Sequence, residues 1–397
     1  MTQSLLNGLA NWLAPAGVPI AWRQLRYDRN RLIAATAGIA FAVTASLFQT
    51  GAYNALFDSI AVQYGAFDAD LLIHSANFRD IVVHSLFQRD LLARARADPD
   101  VATTEGVTSS VALWRLPDGG IDQVLVFGID PPGTAFSNPE IMRERRWLAL
   151  PDTVLWDRLS LPAFGDIDAC LASGHACPTE ANGALFYYRG VFSLGISFTA
   201  QGQAVVSREG FLRMFPDTPE SSLSLGLVRL KPGANPIVVR DRLRAIFGRD
   251  VAVVTKADFI QDAKDYWGKG TPIGFIIPVT LAVTVLVGIV VFYQILYTDV
   301  QHHLSEYATL KAVGYQDRVL QSIVIQQALW LSILGYPPGL FLAFLLFRTA
   351  REATHLPFFL SAGQGMIAFC LIFFSCLLAG VLAMRKLRQV APADLFQ

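Results

Sequence analysis

Residues 273–297 read IGFIIPVTLAVTVLVGIVVFYQILY, a run with no Asp, Glu, Lys or Arg. A membrane-spanning helix needs about 20 predominantly apolar residues, and this run supplies them. Two more such runs follow closely, Ser322–Phe347 and Gly365–Met384, and a fourth, Leu32–Phe57, stands alone near the start. The stretch from Asp58 to Thr271 between them has the composition of a water-soluble domain. The expected fold is therefore an α-helical membrane protein with four transmembrane helices in a 1 + 3 layout and an inserted α+β extracytoplasmic domain. The divisions are an N-terminal segment (1–31), span one (32–57), the inserted domain (58–271), span two (272–298), a loop (299–318), span three (319–347), a short loop (348–364), span four (365–384) and a tail (385–397).

Composition agrees. The 397 residues are 53% apolar and 16% charged, with zero formal net charge, which gives no sign of a nucleic-acid partner. Before span one, Leu5, Leu6, Leu9, Trp12 and Leu13 recur at helical spacing, as in a helix lying in the membrane interface. Arg23, Arg26, Arg29 and Arg31 precede span one, and Arg385, Lys386 and Arg388 follow span four. Basic flanks mark the cytoplasmic side, so both termini are expected in the cytosol and the inserted domain outside it. Arg348 and Arg351, in the loop between spans three and four, run against that orientation, but Glu352 accompanies them.

The inserted domain reads as mixed α and β. Ala69–His74, Gln123–Gly128, Leu223–Leu230 and Val251–Thr255 have strand composition. Leu113–Asp122 resembles a hairpin turned at Pro117-Asp118-Gly119-Gly120. Phe78–Arg96 and Pro236–Phe247 carry helical periodicity. The order fits either one α+β domain or two small lobes joined near 130–139. Cys170 and Cys177 lie in a turn-like segment, where they either bridge or remain free thiols.

The residues offer little catalytic chemistry. The nearest approach to a phosphate-binding loop, Gly268-Lys269-Gly270-Thr271, lacks the upstream glycine, with Ala at 263. The six histidines form no metal-ligand spacing, and no nucleophile elbow occurs. The spans carry glutamines (Gln49, Gln294, Gln326, Gln327) rather than acids, suited to bonds between helices. Pro337-Pro338, flanked by Gly335 and Gly339, is expected to kink or interrupt span three. In span one Ala34, Gly38, Ala42, Ser46 and Thr50 recur every four residues, a small-residue stripe suited to packing against the other spans or against a second copy.

The loop after span two contains a short helix: Ser305 can cap it, Glu306 suits its first turn and Gly314 its stop. By physics alone it is either a docking knob or an interfacial connector. Here a resemblance enters. Gln294–Val300 followed by Glu306–Tyr315 resembles the DevC-type permeases of ABC exporters, within the wider FtsX/MacB-like superfamily. Ala21–Leu25, Leu150–Leu155, Tyr266-Trp267, Thr271–Phe275 and Arg385–Arg388 are similar as well. The double proline and Ala391 depart from the family's pattern.

The resemblance implies a permease subunit without an ATPase site of its own, with ATP and Mg bound by a separate cytoplasmic ATPase. It further implies a homodimer, a periplasmic adaptor and an outer-membrane channel, and a lipid or amphiphile as substrate. Glu306, Tyr307, Leu310, Lys311, Gly314 and Tyr315 would couple to the ATPase. The same superfamily leaves two other readings open, a non-transporting regulator of periplasmic enzymes in the manner of FtsX, and a lipoprotein-release permease.

Overall fold

A computed structural model describes residues 20–83, 85–131, 133–195 and 198–387. The expected interfacial helix at 1–13, and the tail from Arg388 onward, lie outside the described residues. The chain begins with α1 (Ile20–Tyr27) and α2 (Arg29–Gly65). There follow β1 (Leu71–Ser75), β2 (Phe87–Gln88), α3 (Asp90–Arg96), β3 (Val101–Arg115), β4 (Ile121–Ile129), α4 (Pro139–Glu144), β5 (Thr153–Asp157) and α5 (Ile167–Ala172). The domain continues through β6 (Cys177–Ala181), β7 (Ala184–Phe192), β8 (Gly202–Ser207), α6 (Arg208–Met214), β9 (Ser222–Leu223), β10 (Leu225–Leu230), α7 (Pro236–Phe247), β11 (Val251–Thr255) and α8 (Lys256–Lys269). Four helices complete the chain: α9 (Pro272–His302), α10 (Leu304–Ala312), α11 (Asp317–Thr354) and α12 (Ala362–Leu387).

Among the described residues, α2, α9, α11 and α12 are long and apolar enough to cross a membrane. They run past the apolar stretches that announce them. At about 1.5 Å per residue, the 37 residues of α2 span about 55 Å, so the helix does not stop at Phe57. Charge at Asp58 does not end it, because an acid in a hydrated turn costs little helix propensity. Likewise α11 carries Arg348, Arg351 and Glu352 in its last turns. Pro337-Pro338 does not interrupt α11, which continues through both. The prolines leave the carbonyls of Ile333 and Leu334 without their helical donors, while neighbouring helices hold the segment in place.

The chain divides into two compact units: residues 1–53, 276–349 and 358–397 form one, residues 54–275 and 350–357 the other. The connector between spans three and four thus shares a unit with the inserted domain, as alternation of loops requires.

In the helical unit the contacts are close. A Cβ added at Gly339 would meet Val43 Cβ at 2.7 Å, and one at Gly335 would overlap Ile39. The two glycines stand four apart and bring α11 against α2. The Thr44 hydroxyl lies 2.7 Å from Ala40 O and 3.0 Å from Gly339 O, bonding across the same seam. On another face of α2, a Cβ at Gly38 would sit 3.4 Å from Ile295 Cδ1, and one at Gly288 lies 3.7 Å from Ala42 Cβ. The small-residue stripe therefore packs α2 on α9 within one chain. Ala42 and Ser46 are buried, and Ala34 at the stripe's end is exposed. Thr284 Oγ1 donates to Gln49 Oε1 (2.9 Å), and Tyr336 OH to Gly365 O (2.7 Å).

The inserted unit is built on one nine-stranded sheet, ordered β11-β1-β10-β3-β4-β8-β5-β7-β6. Pairs β4–β8 and β5–β7 are parallel and the rest antiparallel. The expected hairpin is β3–β4, with Arg115 opposite Ile121 and Gly119 at a φ of 87° in the turn. A continuous sheet settles the choice between one domain and two lobes in favour of one. Its apolar clusters are nonetheless separate: one around Phe67, Phe127 and Phe259, one around Trp114, Trp156 and Tyr188, one around Leu71, Val239 and Val253. Helix α7 occupies the residues its periodicity predicts, starting on Asn235, whose side chain accepts from Ile237 N, and Pro236 at the first turn.

The helix expected over Phe78–Arg96 forms only as α3. Two tertiary demands override the local pattern. Asp80 is buried and turns the chain, accepting from Val82 N (3.2 Å), Tyr64 OH (2.8 Å) and Trp267 Nε1 (2.8 Å). Phe87 and Gln88 pair with Leu223 and Ser222. Asp80 thereby ties the end of α2 to α8. Lys256 Nζ adds a second tie, donating to Gly65 O and Phe67 O, both at 2.7 Å, where the last carbonyls of α2 attract a cation. Cys170 of α5 and Cys177 of β6 are bridged, with Cα atoms 6.1 Å apart.

Candidate coupling site

The short helix α10 stands between spans two and three, and its ends explain its length. Helix α9 runs on to His302, past the apolar run, and α10 restarts at Leu304 with His303 as its N-cap. Ser305, expected as the cap, lies inside the helix. His303 takes the place because its ring Nδ1 is 2.9 Å from Asp299 O, folding it back on the end of α9. At the other end Gly314 has a φ of 103°. Its N–H donates to Lys311 O and that of Tyr315 to Leu310 O, both at 3.1 Å. This pair of bonds is a Schellman stop, which needs a left-handed residue and so a glycine.

Burial then sorts the expected coupling residues. Tyr307 is 3% exposed, in a cluster with Ala21 of α1, Val300, Leu320, Ile323 and Val324, and Leu310 packs at its edge. Glu306, Lys311 and Gly314 are exposed, and Tyr315 is half-buried. The six residues thus divide between an anchor facing inward and a surface facing water.

What holds the anchor was not visible as a site in the sequence. Gln24 of α1 is buried, and its amide meets three partners. Its Nε2 donates to Glu306 Oε2 (2.8 Å). Its Oε1 accepts from Gln327 Nε2 (3.0 Å) and from Tyr307 OH (3.4 Å). One side chain therefore joins α1, α10 and α11. Burial pushes the Tyr307 phenol well above its ordinary range, so it remains a donor. A lone Gln among arginines carries no pattern that spacing could reveal. Gln327 is one of the glutamines expected to bond between helices, and it does so. Asp299, also buried, forms the outer part of the cluster, with His303 Nδ1 3.7 Å from its Oδ1.

Among the described residues no group of three His, Cys, Asp or Glu side chains converges as a metal site would. The arrangement can present a short, rigidly capped helix whose position is fixed to the helices on either side of it.

Residues 278–392 match the family model for the FtsX-like permease C-terminal domain. Among solved structures, the periplasmic region of MacB from Actinobacillus actinomycetemcomitans is similar at 12% identity and a TM-score of 0.34, covering 50% of this chain and 93% of that one. The extracellular domain of the noncanonic ABC-type transporter YknZ from Gram-positive bacteria is similar at 11% identity and 0.31, covering 47% and 99%. A domain of a putative permease from Porphyromonas gingivalis is similar at 15% identity and 0.31, covering 46% and 87%.

Proposed function

We propose that this chain is the membrane subunit of a DevC-type ABC exporter, working as a homodimer with a separate cytoplasmic ATPase that binds ATP and Mg. Both termini and α10 face the cytosol in this reading, and the sheet domain faces the periplasm. The observation that carries it is the helix α10, capped at Gly314 and clamped by Gln24, with Glu306 and Lys311 turned to water. Closure of the ATPase pair pushes α10. The push passes through the Gln24 clamp to α1 and α11, and along α9, which starts at Pro272 just after α8 ends at Lys269. The sheet domain responds and drives export of a lipid or other amphiphile through a periplasmic adaptor and an outer-membrane channel. The substrate need not cross the bundle of spans.

The test is reconstitution with the cognate ATPase. Lys311→Glu changes only an exposed side chain, and Gly314→Pro removes the capped stop. Both are expected to abolish stimulation of ATP hydrolysis while the protein stays in the membrane. Full stimulation in both variants would overturn the coupling role.

A further inference from the structure

At the ends of α2 and α9 an open cleft of about 900 Å³ lies between the α1–α2 junction and the α9–α10 junction. Its walls include Arg23, Tyr27, Arg29, Arg31, His302 and His303. Two acids also line it, but both are engaged within the protein. Glu306 accepts from Gln24, and Asp28 Oδ1 accepts from Arg31 N at 3.1 Å with its other oxygen 3.7 Å from Arg31 Nε. Arg23 and Arg29 are exposed, and neither has a hydrogen bond or ion pair among the described residues. The cleft therefore offers unspent positive charge.

The apolar surface beside it says what kind of anion fits. Tyr27 is 90% exposed at its rim. From Arg29, residues Ile33, Ala37 and Phe41 follow at four-residue intervals down one face of α2, where such residues stack one above another. Ile33 and Phe41 are 67% and 72% exposed, and Ala37 is exposed too. A soluble phosphate would use the arginines alone. A molecule with a phosphate head and an acyl chain would use both the arginines and the apolar track.

We infer that this cleft is a binding site for the headgroup of an anionic phospholipid, whose acyl chain lies along Ile33, Ala37 and Phe41. Basic clefts at the ends of spans recognise such headgroups by charge. The site lies beside Glu306 and His303, so a bound lipid would brace the α1–α2 junction next to the coupling helix. The inference does not depend on the proposed export function.

The experiment uses the full chain, delipidated in detergent and titrated with phosphatidylglycerol or phosphatidylcholine, with bound lipid counted by native mass spectrometry. The wild type is expected to retain phosphatidylglycerol and not phosphatidylcholine. Arg23→Gln with Arg29→Gln should weaken retention at least about fivefold, and His302→Gln, an exposed change, should weaken it measurably. Arg26→Gln, on the same helix but outside the cleft, should leave it unchanged. The inference is overturned if the double variant binds like the wild type, if Arg26→Gln loses as much, or if excess inorganic phosphate displaces the lipid completely. Matched thermal unfolding of the variants keeps a loss of fold from passing as a loss of binding.

Discussion

Gln24 shows how much one side chain can be asked to do. Both ends of its amide are used, and two of its three partners, Tyr307 and Gln327, are themselves buried. Gln24→Ala leaves Gln327 Nε2 and Tyr307 OH without that acceptor, a loss of about 1–3 kcal/mol for unsatisfied buried donors. The expected result is a lower unfolding temperature together with weaker ATPase stimulation. A lower temperature with full stimulation would make the clamp structural only. Gly314→Ala tests the helix stop in isolation. A φ of 103° is unfavourable for any residue with a Cβ, and the expected cost is about 1 kcal/mol. In the sheet domain, Asp157 is buried on β5 and accepts from the N–H groups of Leu159, Leu194 and Gly195. Burial outweighs those bonds and lifts its carboxyl from 3.8 to about 6. The folded state then binds the proton more tightly than the unfolded one. Its contribution is most favourable below about pH 4 and is lost as pH rises through 6. A tenfold change in acidity is worth about 1.4 kcal/mol, so the swing is about 3 kcal/mol. Unfolding of the full chain in detergent, wild type against Asp157→Asn, should show the variant gaining relative stability between pH 4 and 7. A pH-independent difference would refute the assignment.

Among the elements, the seam of α2 and α11 rests on two glycines and a threonine. Gly339→Val forces the helices apart at Val43 and the Ala40 carbonyl, and overpacking of this kind costs about 1–3 kcal/mol. Loss of the monomeric fold on mild heating is the expected readout. The bridge between α5 and β6 closes a short loop, so Cys170→Ser with Cys177→Ser should cost about 2–3 kcal/mol. Mass analysis should find both thiols blocked to alkylation until reduction. The elements differ in how far the sequence disclosed them. Strand β11 and helix α7 were legible to the residue, because Pro236 and the Gly233 turn punctuate the chain and the apolar periods match the local structure. The helix over Phe78–Arg96 was misread, since its outcome depends on Tyr64 and Trp267 drawing Asp80 inward, and both are distant in sequence. Of the two outcomes expected of the double proline, a kink or an interruption, the interruption does not occur: local rules describe the missing donors, while Gly335 and Gly339 pack the segment closely against α2. In the coupling site the capped end at Gly314 could be read from letters. The anchor could not, because Gln24 and Glu306 are 282 positions apart and a pairing of that span leaves no local signature.

At the scale of the molecule, the 1 + 3 layout makes a topological prediction that labelling can check. With Cys370 and Cys376 replaced by Ser, Asp118→Cys at the tip of the β3–β4 turn should react with an impermeant maleimide in spheroplasts, and Lys311→Cys should not. The reverse pattern would invert the orientation and remove the cytosolic role of α10. The order of the strands carries one more consequence. The first strand after α2 is β1 and the last before α8 is β11, and the two are hydrogen-bonded neighbours, with Leu71 opposite Thr255 and Ser75 opposite Val251. Everything from β2 to α7 is threaded between two strands that lie side by side. Residues added at a tip within that interior, such as the β3–β4 turn, leave the β1–β11 pairing untouched, so the sheet domain can lengthen there while its first and last strands stay side by side.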